Sequence, residues 1–354
     1  MKSAPMTRTT SLLLPLLVIL FFQRCESPEP EIKDDPNLRK AEYYILCEGS
    51  FTQANASFWS VDETLDTVRG PLFWDTEVNP LGDVGQSMAL NGHTLYLIMN
   101  NSHEIRVLDL ENGLDHIADI DVASPRYMAI QASQNRGFVS SWNLGALLVV
   151  DLLNNTVTDT VLLNGLPEEV LIKDDQLFVA MNMYRDWSAN NQILELNISE
   201  TLPSITRGYT VLDGPSSMVI SDDMLFVTSI AYDTDWVAVT GTSRIDLLTG
   251  AVISASHGTY LNYSADMDIL NGVPYRIFGK SIVPLNEDLS LDLAGSIANL
   301  EGIYSFSIQN EKLVIGTSDY SAPDPVYFYS ASGDSLGSID VAGYPGDVIF
   351  YEPL

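Results

Sequence analysis

Residues 85–110 read GQSMALNGHTLYLIMNNSHEIRVLDL, three short apolar runs separated by two polar breaks. In the first run, Ser87-Met88-Ala89-Leu90, apolar residues fall at every second position, the period of a strand with one face on a neighbour. Asn91-Gly92 follows, a pair that tolerates positive φ and suits a tight hairpin. LYLI (95–98) then forms a second strand, MNNSHE (99–104) a loop and IRVLDL (105–110) a third strand.

The same four-residue pattern recurs along the chain. It is found at Tyr127-Met128-Ala129-Ile130, Glu169-Val170-Leu171-Ile172 and Ser217-Met218-Val219-Ile220. It returns at Asp266-Met267-Asp268-Ile269, Ser305-Phe306-Ser307-Ile308 and Asp347-Val348-Ile349-Phe350, making seven copies. The anchors Met88, Met128, Val170, Met218, Met267, Phe306 and Val348 lie 40, 42, 48, 49, 39 and 42 residues apart. A period of roughly 40–50 residues is that of four-stranded propeller blades. Second strands begin seven residues after the anchor in five of the repeats. The mature chain has no convincing helical period, so the expected fold is all-β: a seven-bladed β-propeller with four-stranded blades.

The ends indicate how the ring closes. YYILC (43–47) matches a second strand with no inner strand before it, and GDVIFYEPL (346–354) matches an inner strand with no second one after it. Residues 346–352 are therefore expected to supply the inner strand of blade one, which removes the open sheet edges.

Lys2 and Arg8 precede an apolar run from Leu12 to Phe22, the layout of an export signal, and Cys25 follows. The acidic, proline-rich stretch after it, ESPEPEIKDDP, has the composition of an unfolded tether. Residues 1–25 thus read as a lipoprotein-type signal with Cys25 lipidated, 26–42 as a tether and 43–354 as one propeller domain. Arg24 stands where a small residue usually precedes the cysteine. The expected location is the outer membrane, lipid-anchored at the cell surface, or the periplasm or medium without the lipid. With 47 acidic and 17 basic residues the net charge is −30, which argues against nucleic acid as a partner. Cys47 lacks a disulfide partner once Cys25 is acylated and reads as a small buried hydrophobe.

A family resemblance rests on YILCEGSFTQANASFWSVD (44–62), NPLGDVGQSM (79–88), LYLIMNNSHEIRVLD (95–109) and SPRYMAI (124–130). These segments resemble the YncE-like propeller lipoproteins of Bacteroidetes-type bacteria, in which Asn usually stands at the place of Cys47. The resemblance implies a surface ligand-binding propeller. Some members of the wider family capture cobalamin and pass it to an outer-membrane transporter, which makes a corrinoid one ligand candidate and such a transporter a candidate partner.

Binding residues are expected on the loops between second and third strands, where a rigid scaffold holds variable segments on one face. These loops carry Asn100 and His103 in blade two, Trp142 in blade three, Tyr184 and Trp187 in blade four, Tyr232 and Trp236 in blade five and Tyr320 in blade seven. Phe51 adds an aromatic from blade one, and Arg126 places a cation near the channel, fit to hold an anionic group in a bidentate way. Aromatic plates beside amides and carboxylates suit a glycan or a tetrapyrrole. The same aromatics could instead pack their own loops onto the blades, or contact protein in an envelope-docking propeller.

Catalytic signals are weak. GDSLG (333–337) fits G-x-S-x-G by letter but lies in a hairpin rather than on a strand-to-helix elbow. His93, His103, His116 and His257 show no metal-ligand spacing, and Asp174-Asp175 and Asp222-Asp223 occupy turn positions. A metal-dependent lactonase-type propeller would need convergent carboxylates and amides at the ends of the inner strands. The matching positions, taken as Gln86, Arg126, Glu168, Ser216 and Glu301, are mixed. The sequence therefore points to a non-enzyme with no metal and no cofactor. Metabolic labelling with a fatty acid tests the anchor: it should mark the wild-type chain and leave Cys25→Ser unmarked.

Overall fold

The computed structural model describes residues 41–72, 80–259 and 264–353; the signal, Cys25 and most of the tether lie outside them. Seven antiparallel sheets form seven propeller blades. Their inner strands are Pro345–Tyr351, Gly85–Asn91, Pro125–Gln131, Leu166–Lys173, Pro215–Ser221, Met267–Leu270 and Ile303–Gln309. All seven anchors are buried.

Ring closure follows the sequence expectation. Pro345–Tyr351 pairs antiparallel with Glu42–Cys47, with Ile45 opposite Val348 and Tyr43 opposite Phe350, and becomes the inner strand of blade one. Every residue of Glu42–Cys47 is buried. Alternate side chains of this strand serve two neighbours, because a strand sends successive residues to opposite faces. Tyr43, Ile45 and Cys47 pack with Val314, Val326 and Phe328 of blade seven. Tyr44 and Leu46 pack with Met88, Leu95 and Leu97 of blade two. The run YYILC is continuously apolar for this reason: neither face meets water. The Tyr43 ring stands edge-on to Phe328 at 5.2 Å, and burial pushes the Cys47 thiol up to about 12.

Blade six differs from the others. After Ser281–Pro284 its fourth position is held by two single bridges, Leu285 to Leu291 and Ile282 to Ile297. Asp292 accepts from the Ala294 and Gly295 backbone N–H groups at 3.1 and 3.3 Å, so local side-chain bonding replaces part of a ladder. Two of the expected loops are shorter than the sequence suggests. Gln176–Met183 and Ala189–Asn197 extend the blade-four hairpin to a tip at 184–188. Met224–Tyr232 and Ala238–Asp246 likewise leave only 233–237 in blade five. Residues such as Ile230, Val239 and Thr240 fit a pleated ladder better than an irregular loop.

Deleting residues 345–354 should remove the partner of Glu42–Cys47 and expose its apolar edge. Far-UV circular dichroism and size exclusion should then show loss of cooperative melting and aggregation. A monomeric truncated chain with unchanged Tm would contradict ring closure by this strand.

Candidate functional site

Six of the seven inner strands carry a register shift near their start, within the two residues that precede the buried anchor. In blade two, Gly85 pairs with Met99 and Ser87 with Ile98, so Gln86 is left without a partner. The same happens at Ser216, Tyr304 and Gly346, and over two residues at Arg126-Tyr127 and Glu168-Glu169. A bulge of this kind re-aims side chains and twists the strand. In those six strands it lets two consecutive residues reach the channel; in blade six Ala265 and Asp266 do so just ahead of the strand, without a bulge. Gln86, Arg126, Glu168, Ser216, Ala265, Tyr304 and Gly346 line a funnel of about 660 Å³ on the loop face. The next residues, Ser87, Tyr127, Glu169, Ser217, Asp266, Ser305 and Asp347, line a channel cavity of about 370 Å³.

The structure brings six of the ten sequence-predicted binding residues to the funnel: Phe51, Asn100, Arg126, Trp142, Tyr232 and Tyr320. Four lie elsewhere. His103 is exposed and its Nδ1 accepts from the Ser124 backbone N–H at 3.0 Å. Tyr184, Trp187 and Trp236 project from the hairpin tips, with Trp187 and Trp236 exposed at 66% and 82%. They stand outside the lining itself, although Trp187 touches Trp142 and Trp236 touches Tyr232, both residues of the funnel wall.

Arg126 does not present an open fork to a ligand, which corrects the expectation of bidentate anion capture. Its Nε lies 3.2 Å from both Glu168 carboxylate oxygens, and Nη2 also donates to Glu168. Nη1 donates to Gln86 Oε1, and the guanidinium sits 4.2 Å above the Trp142 ring. Glu301, taken from sequence as an inner-strand position, is exposed and pairs with Lys280; Tyr304 holds the matching register.

The residues missed by sequence reasoning are mainly acids and tyrosines of these two rings. Burial pushes the Glu48 carboxyl up to about 7, partly opposed by a hydrogen bond from Tyr304 and by the charge of Arg126. Burial also raises Asp266 to about 6, Asp347 to about 7 and Glu169 to about 8. Three of these acids tie adjacent blades together. Asp347 accepts from the Met88 N–H at 2.6 Å, Glu169 from Met218 N–H at 2.5 Å and Asp266 from Phe306 N–H at 3.0 Å. Their signal in the sequence was the residue just before each anchor, which alternation alone assigns away from the channel. A carboxyl poised near neutral pH can take or give a proton during a reaction. Among the described residues no group of three or more His, Cys, Asp or Glu is arranged to hold a metal ion.

No protein-family model matches the chain, and no curated protein is similar to it in sequence. Solved structures share its fold. The periplasmic gluconolactonase PpgL of Pseudomonas aeruginosa aligns with a TM-score of 0.64 at 13% identity, covering 88% of this chain and 100% of its own. A Lactobacillus plantarum protein aligns with a TM-score of 0.62 at 16% identity over 88% and 100%. A Bacteroides fragilis protein with a provisional 6-phosphogluconolactonase assignment aligns at 0.61 and 13% over 90% and 99%. At such identities the likeness is one of fold. It overturns the expectation of a non-enzyme all the same: that expectation rested on missing motifs, and propellers named as lactonases share this architecture nearly end to end.

The raised carboxyls fix the sign of a pH dependence. The native chain keeps protons on Asp266, Asp347, Glu48 and Glu169 that the unfolded chain, with ordinary values of 3.8 and 4.5, releases. Stability from these groups is full below about pH 4 and is lost as pH rises toward about 8. Tm should fall by several degrees between pH 5 and 8. The fall should be shallower in Asp347→Asn, whose neutral amide has no proton to lose; an identical slope would remove Asp347 from the account.

Proposed function

We propose that the chain is a cell-envelope propeller that binds a small polyhydroxylated ring compound in the funnel and hydrolyses a sugar lactone there. The observation that carries this reading is Glu48, a carboxyl pushed up to about 7 by burial and hydrogen-bonded by Tyr304, in a funnel walled by aromatic rings. A funnel of about 660 Å³ is in the range of small-molecule sites. Tyr232 and Tyr320 offer flat faces to the C–H side of a sugar ring, while Asn100 and Asn182 offer amides to its hydroxyls.

In this reading ionised Glu48 takes a proton from a water molecule whose oxygen attacks the lactone carbonyl. The ring C–O bond then breaks, and protonated Glu48 returns its proton to the departing alkoxide. One water is consumed and a hydroxy acid leaves. Arg126, held rigid by Glu168 and Trp142, supplies positive charge near Glu48. The envelope location rests on the Cys25 signal, and the YncE-like resemblance agrees with it. A corrinoid is supported by that resemblance alone.

Acid release from a panel of aldonolactones, followed at constant pH, tests the reaction. Turnover above the spontaneous rate is expected, with a loss of about 10²-fold or more in Glu48→Gln. Wild-type rates equal to the spontaneous rate for every lactone would end the hydrolytic reading. Thermal shift with sugars, sugar acids and cobalamin separates the ligand classes, since a ligand that binds the native state raises Tm. Stabilisation by cobalamin alone would replace the sugar with a corrinoid.

A further inference from the structure

Trp187 and Trp236 occupy equivalent places on adjacent blades. In the tip 184–188, Tyr184 N–H donates to Ser188 C=O at 2.8 Å and Trp187 N–H to Tyr184 C=O at 3.0 Å. In the tip 233–237, Asp233 N–H donates to Val237 C=O and Trp236 N–H to Asp233 C=O, both at 3.0 Å. Each tryptophan is the fourth residue of its turn and has left-handed backbone, with φ of 68° and 59°. That conformation is unfavourable for a bulky side chain.

A third turn of the same form shows how the chain offsets this cost elsewhere. Asn286 N–H donates to Ser290 C=O and Leu289 N–H to Asn286 C=O, both at 2.9 Å, and Leu289 has φ 67°. Leu289 is fully buried, in the cluster with Phe226 and Met267. The two tryptophans gain no such burial: Trp187 touches Trp142 edge-on at 5.9 Å and Trp236 leans on Tyr232 at 6.4 Å, and both remain mostly exposed. Their surroundings are acidic. Asp186 precedes Trp187, and Asp233 and Asp235 both precede Trp236 within its turn. The cation of these tips, Arg185, donates to the Leu144 carbonyl.

We propose that the hairpin tips of blades four and five form a docking surface for an arginine-bearing segment of a partner protein. A guanidinium can stack on an exposed indole and bond a neighbouring carboxylate at once, and tryptophan is among the residues that dominate interface energetics. The aspartates favour a cationic partner and oppose an anionic lipid surface. This inference does not depend on chemistry in the funnel.

A hexa-arginine peptide titrated into the purified protein at fixed salt is the test. Trp187→Ala/Trp236→Ala should bind at least tenfold more weakly with Tm unchanged, since both side chains are exposed. Asp174→Asn/Asp222→Asn, which removes charge from hairpins at the opposite end of the blades, should bind as wild type does. The proposal is overturned by absent binding, by unchanged affinity in the tryptophan variant, or by equal loss in both variants, which would mark a general charge effect. Tryptophan-dependent binding to phosphatidylglycerol vesicles in place of the peptide would overturn it as well.

Discussion

Strand Glu42–Cys47 has no free face and no free edge. The far end of the chain pairs along one edge, Ser57–Asp62 along the other, and its side chains divide between blades seven and two. The rest of the propeller depends on this contact, because a ring of sheets is stable only when the last sheet meets the first. Closing it joins residues about 300 positions apart. Once closed, six of the seven seams are filled by apolar side chains from both sides.

The seam between blades five and six is built differently. Its apolar cluster is small, with Phe226, Met267, Leu285 and Leu289 as the buried members. Beside it Arg276 is buried and donates to the Gly241 carbonyl at 2.6 Å and the Thr242 hydroxyl at 2.8 Å. Burial lowers its guanidinium to about 10, and burial, assisted by the Arg276 charge, holds His257 down at about 4. Neutral acceptors satisfy this cation, so polar bonds stand where other seams have packed methyl groups. The same blade lacks a continuous outer strand, so the ring is least regular here.

The closed ring also explains how so many acids are held at the channel. The inner strands of blades two, five and seven donate backbone N–H groups, at Met88, Met218 and Phe306, that carboxylates on the preceding blade accept. These bonds tie strands that share no ladder. Burial at the same positions makes the charged forms costly, so the groups that fasten the blades also titrate near neutrality.

Blade number, strand positions and ring closure were legible in the sequence because each rests on local alternation repeated seven times. Four aromatics that line the funnel, Phe51, Trp142, Tyr232 and Tyr320, were legible too, because aromatics on the second-to-third connections of a propeller have few places to go. Glu48, Asp266 and Tyr304 were not. Their approach to the channel depends on bulges and on which blades meet, and neither leaves a periodic mark. Arg126 looked open in the sequence because Glu168 lies 42 residues away and reaches it only across a blade seam. Trp187 and Trp236 sit at the tips of hairpins longer than the sequence suggested, each against a residue of the funnel wall. The sequence alone determined the repeat and what is buried, since a strand's alternation is set by its own covalent geometry. Tertiary structure alone decided which polar groups face one another, since that depends on how distant strands are brought together.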